Sequence, residues 1–263
     1  MKVNLKNRTA IVCGSTQGIG KAIAEKFAEN GCNLILISRN KVKLKSMANK
    51  IRIKYKVKCD YITADFENSK ILQKELNIYF KKKDLQIDIL INNVRGPEPS
   101  IVTEITPEQI FKVIERHLIC SQILVKFCLV QMIKKKFGRV INIVDTIYHS
   151  PYQGLGLSSI RASEVSWSKA LSFEVAKFGI TVNNILPGPT ETQGLKNILK
   201  ILAKQKEISF KKFHNEVIDS VPLKRFASPD EIAYAALYLA SNEASYVTGS
   251  SITIDGGFTP SVK

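Results

Sequence analysis

Residues 9–20 read TAIVCGSTQGIG, from Thr9 to Gly20, and this stretch decides the fold. Its first four residues suit a short buried strand. The turn Gly14-Ser15-Thr16-Gln17-Gly18-Ile19-Gly20 then runs at once into a helical apolar pattern of Ile19, Ile23 and Phe27. The order is strand, glycine turn, helix. Glycine is wanted there because a side chain would keep the backbone away from a pyrophosphate, and the opening turn of a helix offers unpaired N–H groups and partial positive charge to an anion. A glycine-rich turn alone carries little weight, since such turns need glycine for geometry and Gly-x-x-x-Gly-x-Gly is not the commoner Gly-x-Gly-x-x-Gly. Its placement between a strand and an amphipathic helix makes Gly14, Ser15, Gln17, Gly18, Ile19 and Gly20 candidate dinucleotide-binding residues.

Outward from that turn, Asn33–Ser38 (NLILIS) predicts a second buried strand ending in Ser38-Arg39-Asn40. An acidic side chain at that strand end would bind an adenosine ribose and repel a 2′-phosphate, whereas serine and arginine accommodate the phosphate. Arg39 therefore favours NADP(H) over NAD(H). Val57, Cys59 and Tyr61 alternate into a third strand. Asp65, just past it, has two readings: a receiver for the adenine amino group, or an N-cap for a helix beginning near Asn68. Residues 87–91 predict a fourth strand closing on Asn92-Asn93-Val94-Arg95-Gly96, where Asn92 is a candidate cofactor contact or a brace for neighbouring backbone.

Thr106-Pro107-Glu108-Gln109 is a capping box that predicts a long helix to about Lys136. A fifth strand over 139–144, a helix over 157–178 and a sixth strand over 181–186 follow, stopped by Pro187-Gly188 with Thr190 and Thr192 just beyond. The segment 189–227 is polar, lysine-rich and broken, and a long insertion after a strand's carboxyl end suits a substrate lid. Ser228-Pro229-Asp230-Glu231 caps one more helix, and residues 251–255 make a last strand. Alternating strands and helices predict an α/β chain: a single-domain, doubly wound parallel sheet of the Rossmann type with about seven strands.

Bulk properties narrow the class. A chain of 263 residues suits one domain with a large core, and 44% hydrophobic with 24% charged residues is ordinary for a soluble protein. The sequence carries no internal repeat, and its N-terminus enters the first strand without a signal-peptide pattern. No apolar run approaches a membrane span, so a cytoplasmic protein without membrane contact is expected. Cys13, Cys32, Cys59, Cys120 and Cys128 are odd in number and scattered, which fits reduced core thiols better than disulfides or a metal site. The net charge of +16 would favour acidic partners such as a carrier protein or a phosphorylated substrate. The lysines are nevertheless spread over many segments as solvated faces, and no nucleic-acid motif accompanies them.

By these pieces the chain resembles the short-chain dehydrogenase/reductase family over essentially its whole length. The resemblance rests on Cys13 to Gly20, Ala64-Asp65, Asn92 to Gly96, Gly138-Arg139-Val140-Ile141-Asn142-Ile143, Gly179-Ile180-Thr181-Val182-Asn183, Pro187-Gly188, Val247-Thr248-Gly249 and Asp255-Gly256-Gly257. Within the family it is most similar to a divergent branch of the β-ketoacyl-acyl-carrier-protein reductases. The resemblance implies NAD(P)(H), hydride transfer between nicotinamide and a carbonyl or alcohol carbon, and a homo-oligomer, dimer or tetramer. It also implies that Pro187, Gly188, Thr190 and Thr192 lie where the family holds the nicotinamide carboxamide.

The family's proton chemistry uses a tyrosine, a lysine four residues on, a serine and an asparagine. In register these fall here on Leu157, Arg161, Asp145 (with Thr146 beside it) and His117 or Leu118. The tyrosine-to-lysine spacing occurs once, at Tyr79 and Lys83, in a helix on the wrong side of the fold. Leucine donates no proton. Arginine keeps the lysine's charge and its ribose bonds, but with a pKa above ~12 it is a poor shuttle. Among Tyr148, His149 and Tyr152, Tyr152 lies nearest the helix start and is the first choice of donor. Asp145 near a hydride acceptor would repel a developing oxyanion unless protonated. Two readings follow: an NADP(H)-linked reductase of a small or carrier-bound ketone with Arg161, Tyr152 and Asp145 at its centre, or a non-catalytic protein that keeps the fold and the cofactor. A third, a scaffold for acidic partners, rests on charge alone.

Overall fold

The computed structural model describes residues 3–81, 85–146 and 154–260. Seven strands form one parallel sheet in the order β3-β2-β1-β4-β5-β6-β7. They are β1 (Thr9–Cys13), β2 (Asn33–Ser38), β3 (Cys59–Thr63), β4 (Ile89–Asn92), β5 (Gly138–Ile143), β6 (Ile180–Pro187) and β7 (Ser251–Ile254). The chain winds outward from β1 to β3, then returns to place β4 against the other edge of β1, with Val12 opposite Ile91. The crevice at that reversal, outside the carboxyl ends of β1 and β4, is where open α/β sheets take ligands.

Alternate strand residues serve opposite faces, as a pleat of period two requires. Ala10 and Val12 join the cluster under α1 (Gly18–Glu29), α2 (Lys41–Tyr55) and α9 (Pro229–Ala240), which includes Ile23, Phe27, Leu44, Ile51 and Ile232. Ile11 and Cys13 join the other cluster under α3 (Ser69–Lys81), α5 (Cys120–Lys135) and α6 (Ala162–Val175), with Leu72, Leu124 and Leu171. Burial on both faces explains why the strands read as continuous apolar runs rather than alternating ones. All five cysteines are buried free thiols, and burial raises the pKa of each, to about 12 for Cys128.

Three expectations change on contact with the structure. The long helix from the Thr106 capping box is interrupted: α4 (Pro107–Ile114) passes through a π turn (Glu115–Ile119) before α5. The helix expected over 157–178 opens instead as a 3₁₀ turn, Gly156–Arg161, and becomes α-helical only at Ala162. Asp65 does not cap α3. The Asn68 carboxamide accepts the Ile71 N–H (3.1 Å), while Asp65 Oδ1 accepts the Glu67 N–H (3.1 Å) one turn earlier.

The insertion 189–227 is better ordered than its composition suggests. It forms α7 (Gln193–Gln205) and α8 (Phe210–Ser220), whose inner faces share a small core of Leu199, Leu202, Phe213 and Phe226. Its two ends are stitched together where Glu191 N–H donates to Ala227 O (2.8 Å) and Ala227 N–H to Pro189 O (3.0 Å). Among the described residues no helix is long and apolar enough to cross a membrane.

Candidate active site

The glycine turn forms one wall of the crevice. Gly14 has φ +58°, and a Cβ there would stand 2.6 Å from the Asn93 carbonyl oxygen, so only glycine lets the β4 loop close on the turn. The Asn93 carboxamide reaches back to Cys13 O (3.1 Å). Gly18 has φ +53°, and a Cβ there would meet the Thr192 methyl at 3.1 Å. That contact brings the first turn of α7 against the first turn of α1. Gln17, the residue before α1, makes no side-chain cap, so among the described residues the opening N–H groups of α1 have no side-chain acceptor. Two helix N-termini thus converge on one spot, and the α1 end is left for an anion.

The outer end of this wall is set by β2. Ser15 is buried against the Ile37 carbonyl, and Thr16 and Ser38 hydroxyls meet at 3.3 Å, which holds the turn to the end of β2. Arg39 follows directly, exposed, and makes no ion pair among the described residues.

Other expected cofactor contacts have local partners. Thr190 Oγ1 donates to Gly188 O (2.9 Å), and Thr192 Oγ1 accepts the Leu195 N–H (3.1 Å) as the cap of α7. Gly188 N–H donates to Ile254 O (3.0 Å), so Pro187-Gly188 chiefly ends β6 against β7. Asn92 turns into the sheet: its amide donates to Asn142 Oδ1 (2.8 Å), Asn142 to Asn184 Oδ1 (2.9 Å), and Asn184 to Ser251 Oγ (3.1 Å). This side-chain ladder crosses β4, β5, β6 and β7 at register-paired positions. Asn92 therefore braces the sheet, and its buried Oδ1 has no hydrogen-bond partner.

The opposite wall is a buried charge cluster. Arg161 is 4% exposed, and four hydrogen bonds engage its guanidinium. Nε donates to Glu164 Oε2 (2.8 Å), Nη1 to Asp145 Oδ2 (3.1 Å) and Val144 O (3.1 Å), and Nη2 to Ile143 O (2.8 Å). Of five N–H donors one remains. The backbone end of β5 and two carboxylates take the other four, so one N–H is left for the ribose bonds expected of this position. The 3₁₀ turn is the local reason. At three residues per turn, Arg161 shares a face with Ser158 rather than with Leu157, and it is drawn inward beneath the sheet edge. The turn itself is pinned by Ser100, whose carbonyl accepts from Gly156 N–H (2.9 Å) and whose hydroxyl accepts from Leu157 N–H (2.9 Å).

Burial works against the Arg161 charge, but Glu164 and Asp145 outweigh it and raise its pKa. Burial likewise raises the Glu164 pKa, with Arg161 pulling the other way. His117 stands in the π turn, 1% exposed, with Nδ1 3.7 Å from Glu164 Oε2 and neither ring nitrogen hydrogen-bonded. Burial first, then Arg161, Arg116 and Arg95, holds it well below the usual histidine range. Beyond it, Arg116 and Arg95 both pair with Glu67 (2.7 and 3.3 Å), tying the loop after β4 to the π turn.

Of the residues expected at the centre, Asp145 and Arg161 are thus brought together, and His117, the position in register with the family's asparagine, stands beside their partner Glu164. Tyr152, with Tyr148 and His149, lies outside the described residues. Tyr79, on α3, donates to Asp60 on the edge strand β3 (3.0 Å). Glu164 was not anticipated. The signal was present, because positions 164, 168, 171, 172 and 175 form the buried stripe of α6, and a carboxylate on that stripe needs a buried partner.

Geometry and comparison now agree on the class. A family model described as enoyl-(acyl carrier protein) reductase matches residues 14–259, and the chain belongs to the short-chain dehydrogenase/reductase family of nicotinamide-dependent oxidoreductases. Among its relatives, the NADPH-dependent reductase BacG of Bacillus subtilis is 30% identical over 259 residues, covering 98% of this chain and 100% of that protein. The 3-oxoacyl-acyl-carrier-protein reductase FabG of Rickettsia prowazekii is 31% identical over 257 residues, 97% of this chain and 98% of that one. The crystal structure of L-sorbose reductase from Gluconobacter frateurii, complexed with NADPH and L-sorbose, superposes with a TM-score of 0.91 at 27% identity, with 100% of both chains covered.

Proposed function

We propose that this protein is an NADP(H)-linked reductase of a ketone, a small molecule or a β-ketoacyl group on an acidic acyl-carrier protein. The observation that carries the reading is the open glycine wall: an uncapped α1 N-terminus beneath a turn that admits no side chain at Gly14, with Arg39 at its outer end exposed and without an ion pair among the described residues. A pyrophosphate fits the first and a 2′-phosphate the second. Relatives named as an NADPH-dependent reductase and as a 3-oxoacyl-acyl-carrier-protein reductase support the same cofactor and substrate class.

When bound, NADPH supplies the hydride. The chain's own residues hold the carbonyl in the crevice, Arg161 offsets the Asp145 charge that would otherwise repel the developing oxyanion, and the proton comes from outside the usual four positions. Tyr152 is the proposed donor. The helices α7 and α8 close over the substrate, their exposed lysines facing an acidic partner, and the protein works as a cytoplasmic homo-oligomer. A second reading is favoured by one observation: Arg161 has four of its donors occupied, which suits a protein that binds the cofactor without turning over.

A single-turnover absorbance assay, with NADPH at the protein's own concentration and a panel of β-ketoacyl thioesters and small ketones, separates the two. Loss of reduced nicotinamide that disappears in Tyr152→Phe supports the reductase and its donor. Bound NADPH that survives every substrate supports the non-catalytic reading.

A further inference from the structure

The positive charge of the chain is not spread evenly over the fold. From Arg39 to Lys58 there are nine arginines and lysines and no aspartate or glutamate. Helix α2 carries six of them: Lys41, Lys43, Lys45, Lys50, Arg52 and Lys54. Its buried face of Leu44, Met47, Ala48 and Ile51 packs on β2 and β3, and all six cations are exposed. The pattern works against the helix itself. Lys41 and Lys43 stand at the positive end of the macrodipole, and Lys41 with Lys45 and Lys50 with Lys54 set like charges one turn apart. A local rule broken in this way points to a gain made elsewhere.

The arrangement of the charges says what kind of partner supplies that gain. Val42, Ser46, Asn49 and Ile53 recur at intervals of four, three and four, so they make one outward line about 16 Å long. Val42 and Ile53, near its two ends, are 79% and 71% exposed. Lys41, Lys45 and Arg52 flank the line on one side, and Lys43, Lys50 and Lys54 on the other. Arg52 is tied to Cys59 O (2.7 Å) and Asn49 Oδ1 (2.8 Å), whereas the five lysines make no ion pair among the described residues. The carboxylates of α1 that act on Lys54, Glu25 and Glu29, are paired with Lys21 and Lys26 of their own helix.

We propose that α2 is a docking surface for an anionic lipid bilayer, on which it lies flat with Val42 and Ile53 between the headgroups and a row of basic side chains on either side. The lysine stems bury their carbon while the ammonium groups stay at the level of the lipid phosphates. A nucleic acid would satisfy the cations but leave two branched aliphatic tips against its phosphates; a bilayer accepts both. Such contact needs no spanning segment, so it departs from the expectation of no membrane contact, which rests on the length of apolar runs. It does not depend on the reductase reading. The insertion with α7 and α8 follows β6, four strands from β2 in the sheet, so the two surfaces can be engaged together.

The test is co-sedimentation of the full chain with vesicles of phosphatidylcholine, alone or with phosphatidylserine added. The protein should pellet with the mixed vesicles, stay in solution with the neutral ones, and be released at ~1 M salt, where screening acts within about 3 Å. Replacing Lys43, Lys50 and Lys54 together by glutamine should weaken binding about a hundredfold, since each lysine at an anionic surface is worth about fivefold. Replacing Lys70, Lys74 and Lys81 of α3, on the opposite face of the sheet, removes the same charge and should leave binding nearly unchanged. Val42→Ser with Ile53→Ser keeps every charge and should weaken binding about tenfold, the worth of two half-inserted aliphatic side chains. Every substituted position is exposed and glutamine keeps the helix propensity of lysine, so the variants fold as the wild type does.

No sedimentation with the mixed vesicles overturns the proposal. So does an equal loss in the α3 variant, which would make the attraction one of net charge. Binding that ignores Val42 and Ile53, with a duplex DNA fragment held more tightly than the vesicles at the same salt, would assign the surface to a phosphate backbone and overturn the bilayer.

Discussion

The two walls of the crevice were built by opposite rules. On the glycine side, donors are left open: the first turn of α1 lacks a side-chain cap and Arg39 has no ion-pair partner among the described residues. On the β5 side, charges are closed on one another, with Arg161 bonded to Glu164, Asp145 and the carbonyls of Ile143 and Val144. An open wall binds what arrives, whereas a closed wall holds the fold and sets a field. On the proposed reading cofactor affinity resides in β1, α1 and β2, and the positions where the family keeps its proton chemistry carry a structural burden as well.

That contrast can be broken from its closed side first. Arg161→Ala leaves the buried Glu164 carboxylate without its cation, and chemical denaturation should show a loss of about 4 kcal/mol, or no folded protein at all. A loss within ~0.5 kcal/mol, the range of ordinary surface substitutions, would mean that the cluster is not closed. Next comes Gly14→Ala. Positive φ and a backbone oxygen in the way of the new Cβ combine to cost about 3 kcal/mol, with NADPH binding abolished in whatever folds.

Arg39→Ala tests the open side and should be gentler. Stability stays level while NADPH binds about tenfold more weakly, the worth of roughly one charge-assisted bond, and NADH binding is unchanged. An equal loss for both cofactors would remove Arg39 from the 2′-phosphate. The smallest effect is expected at Ser100→Ala, about 1 kcal/mol, because it frees the Leu157 N–H of the 3₁₀ turn without disturbing a charge.

Most of the fold was legible because parallel strands buried on both faces announce themselves as apolar runs. Asn33–Ser38 was read to the residue, and the glycine turn placed β1 and α1 together. The site was legible on its open side for the same reason, since glycine at Gly14 and Gly18 answers a steric demand that the sequence states openly. The closed side was less so. The family resemblance put Asp145, His117 and Arg161 in register, but an α-helical reading of residues 157–161 set Arg161 one turn above Leu157, whereas the 3₁₀ turn swings it inward to Ile143 and Val144. Asn92 was open between ligand and sheet, and the ladder to Asn142 joins residues 50 positions apart, a contact that no local pattern encodes. The order of 189–227 was hidden because its polar, lysine-rich surface masks the small stripe of Leu199, Leu202 and Phe213.

The claim that cofactor recognition lives on the open wall is tested most directly by titrating the wild-type protein with NADPH and with NADH and following nicotinamide fluorescence. The account predicts binding of both through the shared pyrophosphate, with NADPH tighter by about tenfold through Arg39. Equal affinities, or tighter binding of NADH, would contradict it.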